Sequence, residues 1–168
     1  SVLLSMAIHL ATLKKSITID DNKKICKEVM QATQLLEKAI ERSYALKDVA
    51  KNITTAKGVM YLGRGTSFPL ALEGALKFKE ISYIHAEGYP AGEMKHGPLA
   101  LIEKNLPVVC IVPPGPLFHK TISNIQEVIA RGGKILMITD DETLESNSEN
   151  IWEIFRLPKC PKSIEAII

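Results

Sequence analysis

The sequence predicts an α/β fold, a three-layer αβα sandwich with a parallel sheet of the Rossmann-like, flavodoxin-style kind, preceded by N-terminal helices. The first observation is a set of short apolar runs at residues 59–62, 108–112, 134–139 and 151–157. The second is helical spacing from residue 68 onward and over residues 117–130. Parallel strands need such crossovers and are apolar along their whole length because helices cover both faces.

The N-terminal part predicts three helices before the first strand. Residues 2–13 are apolar on all sides of a helical wheel, so this helix is expected to be buried against another domain or subunit. Residues 20–42 form an amphipathic pattern with an N-cap offered by residues 20–23, and a shorter helix covers residues 43–52. We therefore assign residues 1–18 to the end of a preceding domain or a linking helix and residues 19–168 to the α/β domain.

Composition excludes several classes of function. The net charge of +2 comes from 21 basic and 19 acidic residues, and aromatic residues make up 5%, so no nucleic-acid partner is expected. Residues 2–13 fall short of the roughly 18 residues that a membrane span needs, so no membrane is expected either. Three distant cysteines without metal-ligand spacing favour a reducing, cytoplasmic location and no metal.

A glycine turn follows the first strand and is the first candidate binding site. Ligands of open parallel sheets bind beyond the carboxyl ends of the strands, and free backbone N–H groups at a helix start attract anions such as sugar phosphates. A side-chain cap from Thr66 or Ser67 would start the helix. The alternative is a tight turn that needs glycine for its backbone geometry, and spacing alone does not separate the two. The candidate substrate-binding residues of the turn are Gly63, Arg64, Gly65, Thr66 and Ser67.

A dinucleotide cofactor is disfavoured at this turn, and no other cofactor is expected. The dinucleotide fingerprint requires a glycine at its sixth position, where this chain has Phe68.

Charged side chains on the following helix form the second candidate site. Glu73, Lys77 and Glu80 stand at positions i, i+4 and i+7, on one stripe of an otherwise apolar helix. Such a stripe either lines a cleft, where Lys77 holds a carboxylate as a base, or forms surface ion pairs. His96, in a loop rich in glycine and proline, is a third candidate because histidine titrates near neutrality.

Two motifs resemble a known family. The run ALEGALKFKEISYIHAE at positions 71–87 and the run GEMKHGPLAL at positions 92–101 are similar to the second sugar isomerase (SIS) domain of the glutamine:fructose-6-phosphate aminotransferases, also called glucosamine-6-phosphate synthases. The resemblance implies a SIS-type fold and conversion of fructose 6-phosphate to glucosamine 6-phosphate. It also implies that Glu80 moves a proton between C1 and C2, that Lys77 supports it, and that His96 assists ring opening.

The resemblance further implies a homodimer, because the family histidine reaches into the neighbouring subunit's site. The phosphate-binding loop of the family belongs to the first isomerase domain, which weakens the phosphate interpretation of residues 63–67. The family's C-terminal tail is also missing, so the chain is expected to be a truncated fragment that is inactive alone. The alternative is a regulatory SIS domain that senses a sugar phosphate without turning it over.

Overall fold

The computed structural model describes residues 2–145, 149–165 and 168. These residues divide into two compact units. The larger comprises residues 39–159, and the smaller comprises residues 2–38 with the described part of residues 160–168. The domain boundary that the sequence predicts after residue 18 stays a prediction. Residues 140–150 are polar and lack periodicity, which predicts a surface loop, and residues 146–148 of it lie outside the described residues. Within the described ranges, no helix is long and apolar enough to cross a bilayer.

The smaller unit is built from two helices. These are α1 (Val2–Leu13) and the first part of α2 (Ile19–Ser43), which continues into the larger unit. None of the α1 residues is buried, so its expected burial against another domain or subunit stays a prediction. The predicted cap within residues 20–23 is wrong, because α2 begins at Ile19 and Thr18 Oγ1 accepts from the Asp21 N–H at 3.1 Å. Asp21 Oδ2 in turn accepts from the Thr18 N–H at 3.1 Å, which completes a reciprocal capping box.

The larger unit contains a parallel sheet of five strands in the order β2-β1-β3-β4-β5. The order is that of flavodoxin-like folds, which confirms the predicted fold class. Crossover connections place the switch in strand order between β1 and β3, so the carboxyl ends of these two strands flank a crevice. The strands are β1 (Gly58–Gly63), β2 (His85–Pro90), β3 (Pro107–Ile111), β4 (Lys134–Thr139) and β5 (Ile151–Arg156).

Helices cover both faces of the sheet, as predicted. On one face, α3 (Lys47–Ile53) and α4 (Ser67–Ser82) pack against β1 and β3. On the other, α5 (Phe118–Ala130) packs against β3 and β4. Side chains of β3 alternate between the two cores, with Val108 and Cys110 in one and Val109 in the other.

Strand β2 was missed by the sequence analysis, which assigned Gly88 and Pro90 to the glycine- and proline-rich loop that carries His96. It pairs with β1 from His85 opposite Gly58 to Pro90 opposite Gly63. Its polar and glycine residues hide the pattern of a buried strand. At the edge of a sheet such residues are tolerated, and a proline costs no ladder bond at the strand's outer end.

Candidate functional site

The glycine turn is tightly closed on itself. A Cβ atom added to Gly63 would lie 2.2 Å from the Ser67 carbonyl oxygen, and one added to Gly65 would lie 2.8 Å from Leu117 Cδ1. The predicted side-chain cap is wrong: Thr66 is the N-cap of α4 but makes no capping bond through its side chain. Instead, the Ser67 N–H donates to the Arg64 carbonyl at 3.2 Å. The geometry favours the tight-turn alternative.

The phosphate interpretation of the turn has few donors left to it. The Phe68 N–H donates to the Gly65 carbonyl at 3.2 Å, so the first two amides of α4 are used within the turn. The substrate-binding role of residues 63–67 stays a prediction.

Arg64 leaves the turn towards α5. Its Nη1 atom donates to Asn124 Oδ1 at 3.0 Å, and the side chain is half-buried. A Cβ atom added to Gly92 would lie 3.0 Å from the same nitrogen and 3.2 Å from Cζ. The guanidinium therefore lies between an α5 side chain and the backbone that follows β2.

The charged stripe, Glu73, Lys77 and Glu80, lies on the outer face of α4. Lys77 Nζ donates to Glu80 Oε2 at 3.1 Å and lies 3.7 Å from Glu73 Oε1. The three side chains are 53–60% exposed. The hydrogen bond to Glu80 is the largest cause of the raised pKa of Lys77, so the ammonium form persists at neutral pH. As it stands in one copy of the chain, the stripe is an exposed set of ion pairs rather than the lining of a cleft.

The surroundings of the stripe are apolar and also exposed. Leu72, Leu76 and Ile81 flank the charges on α4, and Tyr83 follows the helix in a left-handed conformation. The inner face of α4 is closely packed, since a Cβ atom added to Gly74 would lie 3.0 Å from Tyr61 Cε1. Exposed apolar side chains around a few charges are typical of a surface that another body covers.

The histidine segment, the 3-10 helix Ala91–His96, carries the third candidate residue. Ala91 and Met94 are fully buried in the core beside α5. His96 is 76% exposed, with Nε2 at 3.8 Å from Glu93 Oε2. Gly97 follows with φ +141°, a conformation that only glycine adopts readily. The segment thus holds an exposed imidazole on a buried support.

Glu80, the last residue of the stripe, lies far along α4 from the helix start, whereas the histidine segment begins beside that start. The helix starts at the carboxyl end of β1 and returns along the sheet, so Glu80 lies about 20 Å along the axis from Ser67 at 1.5 Å per residue. The histidine segment follows the carboxyl end of β2, which pairs with Gly63 at the start of the glycine turn. One copy of the chain therefore brings the start of the histidine segment, at Gly92, beside Arg64 of the glycine turn, and Glu80 lies about 20 Å along α4 from that end of the helix.

Two groups of polar residues escaped the sequence analysis. Asn124 and Glu127 on α5 contact residues of the glycine turn and the histidine segment, which no local pattern reveals. On β2, Glu87 accepts from the Tyr89 hydroxyl and lies 3.6 Å from His85 Nε2. The hydrogen bond to Glu87 raises the pKa of Tyr89. Period-two spacing along residues 85–89 is the signal that indicates this row, once the segment is treated as a strand. Across the described ranges, no cluster of three or more histidine, cysteine, aspartate or glutamate side chains is arranged to hold a metal.

Comparison with known proteins shows the family to which the chain is similar. A family model described as SIS domain matches residues 52–165. The chain is 44% identical over 168 residues to a protein of Zymomonas mobilis named glutamine--fructose-6-phosphate aminotransferase [isomerizing], covering all of this chain and 28% of that protein. A protein of the same name from Sphingobium yanoikuyae is 58% identical over 123 residues, covering 73% of this chain and 79% of that sequence.

A solved structure shows the same fold. The C-terminal domain of glucosamine-fructose-6-phosphate aminotransferase from Francisella tularensis superposes with a TM-score of 0.88 at 38% identity. The match covers 96% of this chain and 45% of that one. The chain thus spans about a quarter of the length of the first curated relatives it matches, at 28%.

Proposed function

The chain belongs to the SIS domain family and, within it, to the isomerising glutamine--fructose-6-phosphate aminotransferases, and on that premise we propose that it is an isomerase domain that helps convert fructose 6-phosphate to glucosamine 6-phosphate. The observation that carries the proposal is the 44% identity along the entire chain to a protein of that name. The substrate is then a sugar phosphate, the location is the cytoplasm, and this is the second of two SIS domains.

Glu80 is the proposed proton shuttle of this reaction. A carboxylate accepts a proton from one carbon and returns it to the neighbouring carbon when both lie within hydrogen-bond reach. The hydrogen bond from Lys77 at 3.1 Å supports this role because it orients Glu80 and keeps a positive charge beside it. Glu73, on the same stripe, is the proposed substrate contact.

His96 is the proposed group for ring opening, supplied by a second copy of the chain. The distance of about 20 Å along α4 between Glu80 and the helix start supports this, because the histidine segment begins beside that start and a site that uses Glu80 and His96 can then draw them from different copies. The exposed leucines around the stripe support it too, because they provide apolar surface for a covering partner. We therefore propose a homodimer in which each site is completed across the interface.

The test is product formation by the full-length protein that carries this chain. Glucosamine 6-phosphate is measured from fructose 6-phosphate and glutamine for the wild type, Glu80→Gln and the control Glu103→Gln, an exposed glutamate outside the stripe. We expect Glu80→Gln to lower the rate by about 10²- to 10⁴-fold with fructose 6-phosphate binding unchanged, and the control to match the wild type.

Two outcomes contradict the proposal in different ways. An inactive wild type whose Glu80→Gln variant binds the sugar phosphate equally well indicates the regulatory sensor. An active wild type with an equally active Glu80→Gln variant keeps the reaction and removes Glu80 as the shuttle.

A further inference from the structure

The histidine segment is held from two sides by side chains outside it. Arg64, from the glycine turn, packs its guanidinium against Gly92 and donates to Asn124 Oδ1 on α5 at 3.0 Å. Within the segment, Lys95 Nζ lies 3.0 Å from Glu127 Oε1, one helical turn after Asn124. Asn124 and Glu127 lie on the same face of α5. Glu127 contacts the segment directly through Lys95, and Asn124 contacts it through Arg64.

The Lys95 contact is structurally constrained. Glu127 is only 24% exposed, and its Oε2 atom is buried and makes no hydrogen bond within the described residues. Loss of the Lys95 cation would leave the partly buried Glu127 carboxylate without a partner, which lowers the free energy of unfolding. Lys95 and Glu127 therefore contribute to stability as well as to the position of the segment. Variants of Lys95 or Glu127 would mix a change in position with a loss of stability.

The Arg64 contact can be changed without burying an unpaired charge. Asn124 is half-buried and neutral, so its truncation removes the acceptor and leaves the Arg64 guanidinium partly in water. Aspartate at the same position keeps an acceptor and strengthens it by charge. Asn124 thus offers a loss and a rescue at one site.

We propose that Arg64 and Asn124 are positioning residues that fix the histidine segment on α5 and so place His96 for its reaction partner. This inference rests on the proposed function for the role of His96. The physical reason is that an imidazole acts only when held within hydrogen-bond reach of the transferred proton. His96 itself is exposed, so its position depends on the support beneath it.

The first test measures position without activity. In the full-length protein, amide hydrogen exchange of residues 91–97 is compared between the wild type, Asn124→Ala, Asn124→Asp and Gln126→Ala, an exposed neighbour on α5. We expect exchange in this segment to be about tenfold faster in Asn124→Ala, as for the loss of one charged hydrogen bond. Asn124→Asp and Gln126→Ala should match the wild type, and exchange in α4 should stay constant in all four.

The second test shows whether Asn124 acts through His96. We expect Asn124→Ala to lower kcat/KM for fructose 6-phosphate about tenfold in the wild-type background and to have no further effect when combined with His96→Ala. Additive losses, or unchanged exchange in Asn124→Ala, overturn the inference. A wild type that forms no glucosamine 6-phosphate removes the proposed function, while the exchange measurement still decides whether Arg64 and Asn124 fix the segment.

Discussion

The charged stripe and the histidine segment differ in what determines their geometry. The three charges of the stripe contact one another within a single helix, at spacings of three and four residues. The histidine segment is contacted by Arg64, which bonds to Asn124 sixty positions later in the chain. Its Lys95 also pairs with Glu127, which lies on α5. Local geometry sets the first region, and tertiary contacts set the second.

The two regions also differ in how far their side chains are fixed in position and how far they are shielded from solvent. The stripe has its mutual distances as soon as α4 forms, yet its side chains remain more than half exposed, where ion pairs contribute little. We therefore expect the proposed chemistry of the stripe to need a partner that covers it. The histidine segment has its support within one chain and offers an exposed imidazole. Each region supplies what the other lacks, which is why we expect them to meet between copies.

The largest effect is expected when a variant of the stripe and a variant of the histidine segment are combined in one dimer. We expect full-length Glu80→Gln and His96→Ala each to lose about 10²-fold or more of the rate of glucosamine 6-phosphate formation. When the two are co-assembled, about half of the dimers pair unlike subunits and each such dimer has one intact site, so about a quarter of the wild-type activity should return. A mixture as inactive as its components would place both groups in the same copy of the chain.

Gly63→Ala tests the turn that starts α4. The added methyl group would lie 2.2 Å from the Ser67 carbonyl oxygen and 2.7 Å from the Phe68 nitrogen, both backbone atoms that cannot move alone. We expect a loss of several kcal/mol in the free energy of unfolding, measured by denaturant titration. A loss below about 1 kcal/mol would mean that the turn relaxes and that its glycine is not sterically required.

Gly97→Ala is the matched case at the histidine segment. An added Cβ atom meets nothing within 4 Å, so only the backbone strain at φ +141° remains. We expect a smaller loss of about 1–3 kcal/mol in the same titration. Since the strain is adjacent to His96, kcat/KM should also fall in the full-length protein. A loss as large as that of Gly63→Ala would contradict the view that Gly63 is required for steric reasons and Gly97 only for its backbone conformation.

The elements that the sequence predicts are those whose signals are local. The buried strands β1, β3 and β4 are continuous apolar runs. The glycine pair after Arg131 is a local stop signal for α5, which ends at Ala130, two residues before Gly132 takes φ +84°. The spacing of Glu73, Lys77 and Glu80 likewise needs only helix periodicity.

The features that the sequence analysis missed depend on long-range contacts or on an edge position. Strand β2 has a polar side chain at every second position because one of its two rows of side chains is largely exposed at this edge of the sheet. The Arg64 to Asn124 bond joins residues that no pattern relates. The cap at Thr18 was missed for a different reason, since Asp20 is an equally good cap by residue type and only the helix start at Ile19 distinguishes them.

Tyr61→Phe tests whether the inner face of α4, which packs on Tyr61, is shielded from water, through the pH dependence of stability. Burial raises the pKa of Tyr61 to about 12. Between the ordinary tyrosine value of about 10 and this value the unfolded chain releases the proton and the folded chain keeps it, so stability falls as the pH rises. We expect Tyr61→Phe to lose less stability over this range in Tm measurements.

The control is Tyr83→Phe, whose side chain is 93% exposed, and it should follow the wild type. Burial also raises the pKa of the Cys110 thiol, so part of the alkaline loss persists in Tyr61→Phe. Identical alkaline curves for Tyr61→Phe and the wild type would show that water reaches the inner face of α4.

Lys77→Met is expected to have the smallest effect on stability. Its ion pairs with Glu73 and Glu80 are exposed and lie within one helix, and they raise the pKa of Lys77. Their contribution is therefore present below the ordinary lysine pKa and is lost as the pH rises through the raised value. We expect a shift in Tm that is barely measurable at neutral pH and smaller still at high salt. A large, salt-independent loss would mean that the stripe is part of the fold. A stable variant with a strongly reduced rate of product formation would instead assign the lysine to the chemistry, because nothing in the packing of α4 requires it.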